Sequence, residues 1–226
     1  MNTLVLGAHG PLGLACIRQL LATGASVVAA VQAPHRIPPA LADLREEFPS
    51  QLTSFGWYAG KWPVLPPIER AIIAELPIPP AQLDEGDDPV ADLHALTADA
   101  CAHDVRALLA PTLAAIQLVA IVKPKRVLIQ GSWLGSIEER IRGGAYLHGV
   151  AYASQLMLAR IAALDLQRAG IAAVVGNAGR YKLDMAGPGF HADVDDVARG
   201  LLSVLDGCQL ADEPQFLDWK GTQRRW

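Results

Sequence analysis

The sequence predicts a doubly wound α/β fold, in which helices cover both faces of a parallel sheet. Predicted strands and helices alternate along the chain, and this alternation is typical of parallel sheets. A short apolar strand near residue 1 leads directly into a glycine-rich loop and a helix. The 226 residues, 51% of them hydrophobic, are enough for one good-sized core. We therefore predict a single domain over residues 1–226.

The first 32 residues contain a strand, a tight loop, a helix and a second strand. The apolar run Thr3–Leu6 has the composition of a strand that is buried on both faces. A helix is predicted over Leu14–Ala22, and Gly24 is its natural stop signal. The second strand is predicted over Ser26–Val31.

Residues 34–89 form an irregular, insertion-like segment. Eleven of the sixteen prolines lie there, and proline removes a backbone donor and fixes φ. We expect no long regular element in this segment except a strand over Ala71–Leu76. The acidic run Asp84–Asp88 is expected to be a solvated loop.

Regular structure is predicted again in the second half of the chain. The predicted elements are a helix over Asp92–Val122 interrupted near Pro111, a strand over Arg126–Ile129, a helix over Ala151–Ala169, a strand over Ile171–Val175 and a helix over Asp193–Leu205. The last helix begins with acidic residues, which suit the positive end of its dipole.

Composition excludes several classes of protein. The net charge of −4 and the pI of about 5.8 argue against a nucleic-acid binder. The three cysteines show no CxxC spacing and the six histidines no HExxH spacing, so we predict no metal site. Apolar runs such as Leu113–Val122 are much shorter than a membrane span of roughly 20 residues. We expect a cytoplasmic protein without a membrane partner.

The loop after the first strand has the pattern of a dinucleotide-binding site. Its glycines are Gly7, Gly10 and Gly13, and a strand precedes them while a helix follows. In such loops the glycines permit a tight turn, approach of a pyrophosphate and close helix packing. The helix start then offers free N–H groups to the phosphates. The predicted cofactor-binding residues of this Rossmann-type loop are Gly7, His9, Gly10, Pro11, Leu12 and Gly13.

The end of the second strand favours NADP over NAD. An acidic residue there would bind the ribose hydroxyls of NAD. This strand ends instead at Gln32 without an acid, and Arg36 is the nearest arginine or lysine. Arg36 is predicted either to contact the extra phosphate of NADP or to be a solvated loop residue.

Four segments together resemble the short-chain dehydrogenase/reductase superfamily, and more closely its extended and atypical branch. They are the loop 4–13, the strand 125–132, the helix start 151–155 and the segment 191–198. The resemblance implies a catalytic serine at Ser132 and contacts from Asn177 and Gly179 to the nicotinamide end of the cofactor. It also implies NADP or NAD as the cofactor and a small-molecule substrate.

The chain departs from this family where the Tyr-x-x-x-Lys pair is expected. Gln155 stands where the local pattern places the lysine, and Ala151 then takes the place of the tyrosine. Tyr152 and Tyr146 are the alternative catalytic candidates, although no lysine follows either by four residues. In this family the lysine lowers the pKa of the tyrosine, which exchanges a proton with the substrate. The usual proton relay is therefore predicted to be absent.

Two functions remain open from the sequence. The first is an NAD(P)-dependent oxidoreductase of atypical mechanism that acts on a small carbonyl or alcohol. The second is a non-catalytic dinucleotide-binding sensor or partner subunit. Relatives commonly pair subunits through the helix that is predicted here over Ala151–Ala169, and its small residues permit close packing. We therefore predict a homodimer.

Overall fold

The structure is a computed structural model that describes residues 1–32, 37–57, 62–74, 93–94, 96–141, 143–179, 181 and 192–226. The strands are β1 Asn2–Leu6, β2 Ser26–Gln32, β3 Leu52–Trp57, β4 Arg70–Ile73, β5 Arg126–Gly131, β6 Ala172–Asn177 and β7 Gln215–Asp218. The helices are α1 Pro11–Ala22, α2 Pro39–Glu47, α3 Ala98–Val122, α4 Tyr146–Arg168 and α5 Val194–Gly207, with a 3-10 turn at Trp133–Gly135.

The strands form one parallel sheet in the order β3-β2-β1-β4-β5-β6-β7. The chain moves outward from β1 to β3, then crosses back to β4 and continues in the opposite direction. The strand order therefore reverses between β1 and β4. Ligands of doubly wound folds bind beyond the carboxyl ends of the strands at such a reversal. The predicted fold class is confirmed.

Helices cover both faces of the sheet, and each face has its own core. On one face α1 and α5 pack together, and their apolar side chains meet alternate strand residues such as Val5 and Val174. On the other face α3 packs against α4 over the remaining strand residues, which include Leu4 and Val175. Alternate residues of a strand point to opposite faces, so a strand between two helix layers is apolar throughout. This explains the continuous apolar runs in the sequence.

Several elements differ from the sequence prediction. The helix α2 and the strand β3 lie inside the proline-rich segment, where only a strand over Ala71–Leu76 was expected. That strand is β4, which ends at Ile73. Pro39 opens α2 within its first turn, a position where proline costs no hydrogen bond. The strand β7 was not predicted. It is a four-residue edge strand, too short for a clear periodic signal.

Two helix predictions are corrected. α3 runs through Pro111 without an interruption, and it begins at Ala98 after the N-cap Thr97, whose side chain accepts a hydrogen bond from the Ala100 amide. α4 begins at Tyr146 rather than Ala151, after Ala145 in the left-handed conformation with φ of 48°. Packing against the sheet and the neighbouring helix holds these helices over more residues than local propensity predicts.

By length and composition alone, α3 could cross a membrane. Its most apolar 18-residue window has a mean hydropathy of 2.0. Among the described residues, α3 is the one helix that is long and apolar enough to do so. One side of α3 is buried through Leu108, Leu118 and Val119, whereas Ile121 is exposed. The buried side contributes to the core between α3, α4 and the sheet, as in core helices of the same length.

Candidate active site

The glycine loop has the geometry of a phosphate cradle. Gly7 lies at φ of 88°, a conformation that favours glycine, so the chain turns sharply at the end of β1. A Cβ on Gly13 would lie 2.3 Å from the carbonyl oxygen of Gly7, which shows how closely α1 approaches the loop. The N-cap Gly10 offers no side chain to the helix start, and Pro11 occupies the first turn. The uncapped end of α1 can therefore receive an anion.

His9 lies in the middle of this loop and is half-buried. Burial lowers the pKa of its imidazole from the ordinary value of 6.5, so the ring is neutral at neutral pH. Its Nδ1 atom is buried and has no hydrogen-bond partner. Leu12 and Gly13 are buried in the first turn of α1, where they pack the helix onto the sheet.

A second group of residues lies at the carboxyl ends of β5 and β6. Ser132 follows β5, and its Oγ accepts a hydrogen bond of 3.3 Å from the amide of Leu134. Asn177 ends β6, in register with Gly131, and its Oδ1 accepts from the amides of Trp133 and Gly179 at 3.4 and 3.1 Å. This side chain ties the two loops together. Ser132, Asn177 and Gly179 are thus held at one edge of the sheet.

The same edge carries the glycine loop. Only β4 separates β1 from β5, so the two loops are two strand spacings apart, about 10 Å. A dinucleotide that follows the edge from the glycine loop would reach the residues after β5. The fold therefore brings the predicted phosphate and nicotinamide contacts to one edge of the sheet.

The positions of the family's tyrosine and lysine contain Ala151 and Gln155, one turn apart on α4. Both residues are fully buried. The Gln155 Nε2 atom donates a hydrogen bond of 2.5 Å to the carbonyl oxygen of Gln130 in β5. Its Oε1 atom is buried without a partner. Gln155 therefore anchors α4 to the sheet and supplies no positive charge to that edge of the sheet.

The two candidate tyrosines lie beside these positions and are half-buried. Tyr146 is the first residue of α4. Burial raises the pKa of Tyr152 above its ordinary value of 10.0, which is opposite to the change that the family's lysine produces. The backbone of Tyr152 touches the turn that follows Ser132, because a Cβ on Gly135 would lie 2.3 Å from the Tyr152 carbonyl oxygen. The backbone of Tyr152 thus lies close in space to the turn after Ser132. Its raised pKa does not favour a role as a base.

Part of the predicted site lies outside the described residues. This is the case for Arg36. The acidic run 84–88, which was expected to be a solvated loop, and His191 of the segment 191–198 also lie outside the described residues. The backbone of Gln32 ends β2 in register with Trp57. The cofactor contacts predicted for Gln32 and Arg36 remain predictions.

Contacts between the C-terminal residues and the loop after Ser132 were not predicted from the sequence. Glu139 in this loop forms an ion pair with Arg224, and its Oε1 accepts a hydrogen bond of 2.9 Å from the Arg225 amide. The guanidinium of Arg160 on α4 lies 4.8 Å from the centre of the Trp226 ring. These contacts join residues that are 85 or more positions apart or lie on different elements, so no local pattern could reveal them.

Solved structures confirm the resemblance that the motifs indicated. A protein described as a short-chain dehydrogenase/reductase from Burkholderia multivorans, with bound NADP, is 20% identical with a TM-score of 0.78 and covers 100% of this chain and 99% of its own. A carbonyl reductase from Pseudomonas aeruginosa is 18% identical with a TM-score of 0.77, again over 100% and 99% of the two chains. The NADPH-bound carbonyl reductase from chicken fatty liver is 21% identical with a TM-score of 0.67, over 100% and 98%.

One curated relative matches part of the sequence. The protein named C-signal from Myxococcus xanthus is 32% identical over 102 residues, which are 45% of this chain and 61% of C-signal. The match thus spans about three fifths of that relative's length. No family model matches the sequence. The chain has the fold of these short-chain dehydrogenase/reductase and carbonyl reductase structures. The roles that the sequence resemblance implies for the glycine loop and Ser132 remain predictions.

Proposed function

We propose that this protein binds NADP at the glycine loop and is an oxidoreductase of atypical mechanism that acts on a small carbonyl or alcohol. The observation that carries the proposal is the cradle at the start of α1, where Gly7 turns the chain, Gly13 lets the helix approach the loop closely and Gly10 leaves the helix end without a side-chain cap. Structures with the same fold from Burkholderia multivorans and Pseudomonas aeruginosa hold NADP, and the chicken carbonyl reductase holds NADPH. These neighbours support the phosphorylated nucleotide.

The chain's own residues have limited roles in the reaction. When bound, NADPH supplies a hydride to a carbonyl carbon. The hydroxyl of Ser132 can donate a hydrogen bond to the carbonyl oxygen, since a hydroxyl that accepts from the Leu134 amide keeps its own proton to donate. Asn177 holds the loop that carries Ser132 through the Trp133 amide. The proton that the oxygen takes up comes from water, because α4 offers no tyrosine–lysine pair.

The expected turnover is slow. General acid–base assistance is typically worth roughly 100- to 10,000-fold. A chain with Ala151 and Gln155 at the relay positions loses that factor and keeps the contribution of orientation. We expect NADP binding of ordinary strength and a turnover lower by that factor than in a reductase with the full relay.

A second candidate is a non-catalytic dinucleotide-binding sensor or partner subunit. The observation that favours it is Gln155, which is fully buried and bonded to β5 rather than directed to a cofactor. The two functions are separated by measuring NADP binding by calorimetry and NADPH oxidation with a panel of small aldehydes and ketones. NADP binding together with slow NADPH oxidation above the protein-free rate supports the oxidoreductase, whether or not the rate depends on Ser132. Binding without oxidation above the protein-free rate supports the second candidate, and no binding contradicts both.

A further inference from the structure

Two polar atoms near the glycine loop are buried and lack partners. Trp57 ends β3 with only 4% of its surface exposed, and its indole Nε1 has no acceptor. The Nδ1 atom of His9 is buried in the same condition. A buried polar atom without a partner loses its hydrogen bonds to bulk water, so such atoms in native proteins are usually bonded to an ordered water or a ligand.

Both side chains line one small cavity. Its volume is about 10 Å³, which is close to the space that one water molecule needs. The remaining lining residues come from the end of β1, the end of β4 and the middle of α3; they are Leu6, Gly7, Ile73, Pro111, Thr112 and Ala115. None of these lining residues is charged.

The polar groups that line the cavity include one donor and two acceptors, which a single water molecule can connect. The indole of Trp57 can only donate, and a neutral imidazole has one acceptor nitrogen. The hydroxyl of Thr112 donates to the Leu108 carbonyl at 2.9 Å and keeps lone pairs that can accept. One water can therefore accept from Trp57 and donate to both His9 and Thr112. Three hydrogen bonds are the usual number for a buried water.

We propose that one water molecule accepts a hydrogen bond from Trp57 Nε1 and donates its two protons to Thr112 Oγ and His9 Nδ1, which places the proton of the neutral His9 ring on Nε2. Nε2 of this half-buried ring is not among the buried unpartnered side-chain atoms of the described residues. From the middle of the glycine loop, the Nε2–H group then donates to a phosphate oxygen of the bound nucleotide. This last step rests on the proposed function, whereas the water site and the tautomer do not.

The burial of His9 agrees with a neutral ring. Burial lowers the pKa of the imidazole, and the cavity lining supplies no carboxylate that would favour the protonated form. His9 therefore acts as a neutral hydrogen-bond donor and not as a positive charge. The water makes the tautomer depend on Trp57, a residue 48 positions away along the chain.

Nitrogen NMR of the imidazole rings tests the tautomer in the nucleotide-free wild-type protein, with the His9 signal assigned by its loss in His9→Gln. We expect protonated Nε2 and unprotonated Nδ1. The opposite tautomer, an equal mixture or an imidazolium at neutral pH would overturn the proposal. This measurement needs no core variant, so it decides the question even if the variants below fold poorly.

Trp57→Phe removes the indole donor and keeps an aromatic ring. The matched control is Trp62→Phe, because the Trp62 ring lies 5.5 Å from that of Trp57 and its nitrogen is not among the buried unpartnered atoms. We expect the tautomer preference to weaken in Trp57→Phe only, with a rise of the Kd for NADP of about 3- to 10-fold. Equal tautomers in both variants would refute the bridge. Absence of NADP binding with the Nε2–H tautomer intact would refute the proposed function and leave the water site standing.

Discussion

Replacing Gly13 by alanine is the sharpest test of the glycine loop. The new Cβ would lie 2.3 Å from the carbonyl oxygen of Gly7, whereas ordinary contacts of this kind are 3.4–4 Å. The nearest atoms all belong to the backbone of Gly7 and Ala8, so no flexible side chain can give way. The loop must move away from α1 by about 1 Å.

The size of the effect follows from two opposing contributions. Overpacking of this kind costs about 1–3 kcal/mol. Gly13 lies inside α1, and alanine is the better helix former there by up to about 1 kcal/mol. The net loss of folding free energy is about 0–3 kcal/mol, with a middle value of about 1.5 kcal/mol. At roughly 2–4 °C per kcal/mol for a chain of this size, the middle value lowers the Tm by about 3–6 °C.

The effect on nucleotide binding is larger. A shift of the loop moves the amides at the helix start away from the phosphates, and one hydrogen bond to a charged group is worth about 1.5–3 kcal/mol. We expect the Kd for NADP to rise by about 10- to 100-fold. Calorimetry measures the Kd, and thermal melts with and without NADP measure the Tm.

Gly143→Ala is the matched control. Gly143 is exposed, has no heavy atom within 4 Å of an added Cβ and is not among the described residues with positive φ. We expect this variant to bind NADP and to melt like the wild type. If Gly13→Ala binds NADP as tightly as Gly143→Ala does, the close approach at Gly13 does not control nucleotide binding and the prediction is wrong.

Three further predictions concern catalysis, assembly and pH. Ser132→Ala should lower the rate of the slow NADPH oxidation by less than about tenfold, because a single hydrogen bond to the carbonyl is lost. Steady-state kinetics with a small aldehyde measure this rate, and complete loss of activity would contradict the prediction. The homodimer remains a prediction: Met157 and Ile161 are exposed on α4, so Ile161→Arg should give a monomer in light scattering, whereas a wild-type mass of 24.0 kDa would contradict the dimer. Burial raises the pKa of Cys208 to about 11 from 9.0. A thiol with a raised pKa stabilises the fold below pH 9, and this stabilisation is lost as the pH rises through 11. The free energy of unfolding should therefore fall from pH 9 to 11, and it should fall less in Cys208→Ala. Equal slopes against pH in the two proteins would count against this prediction.

The parts of the fold that could be predicted are those with a local signal. The loop Gly7–Gly13 needs glycines for reasons of backbone geometry within seven residues, and the structure shows the close approach at Gly13 that the pattern implies. The strands β1, β2, β5 and β6 were predicted because burial on both faces makes them continuously apolar. Such signals do not depend on distant parts of the chain.

Other parts depend on tertiary contacts that leave no local signal. The exposed and half-buried residues of β3 give no apolar run, and its pairing with β2 supplies the order that its sequence lacks. The ion pair of Glu139 with Arg224 is similarly invisible in the sequence. The same limit applies to proline, since Pro111 stays inside α3 because the helix is held by α4 and the sheet.

The structure also decides where the relay can be restored. From the sequence, a lysine could follow Tyr152 at Leu156 or follow Tyr146 at Val150. Leu156 is buried in the core beside Gly131, where a lysine would lose its hydration, whereas Val150 is exposed on α4. Spacing along a helix gives the separation of two residues, but only the packed fold gives the direction that each faces.

In the proposed complex the chain holds NADP at the glycine loop and presents no tyrosine–lysine pair to the nicotinamide. A crystal structure of the protein soaked with NADPH would show both features. We expect the pyrophosphate within hydrogen-bonding distance of the amides at the start of α1, the nicotinamide beside Ser132 and Asn177, and no tyrosine hydroxyl within reach of the hydride-bearing carbon. A nucleotide bound elsewhere, or the hydroxyl of Tyr152 beside that carbon, would contradict the account.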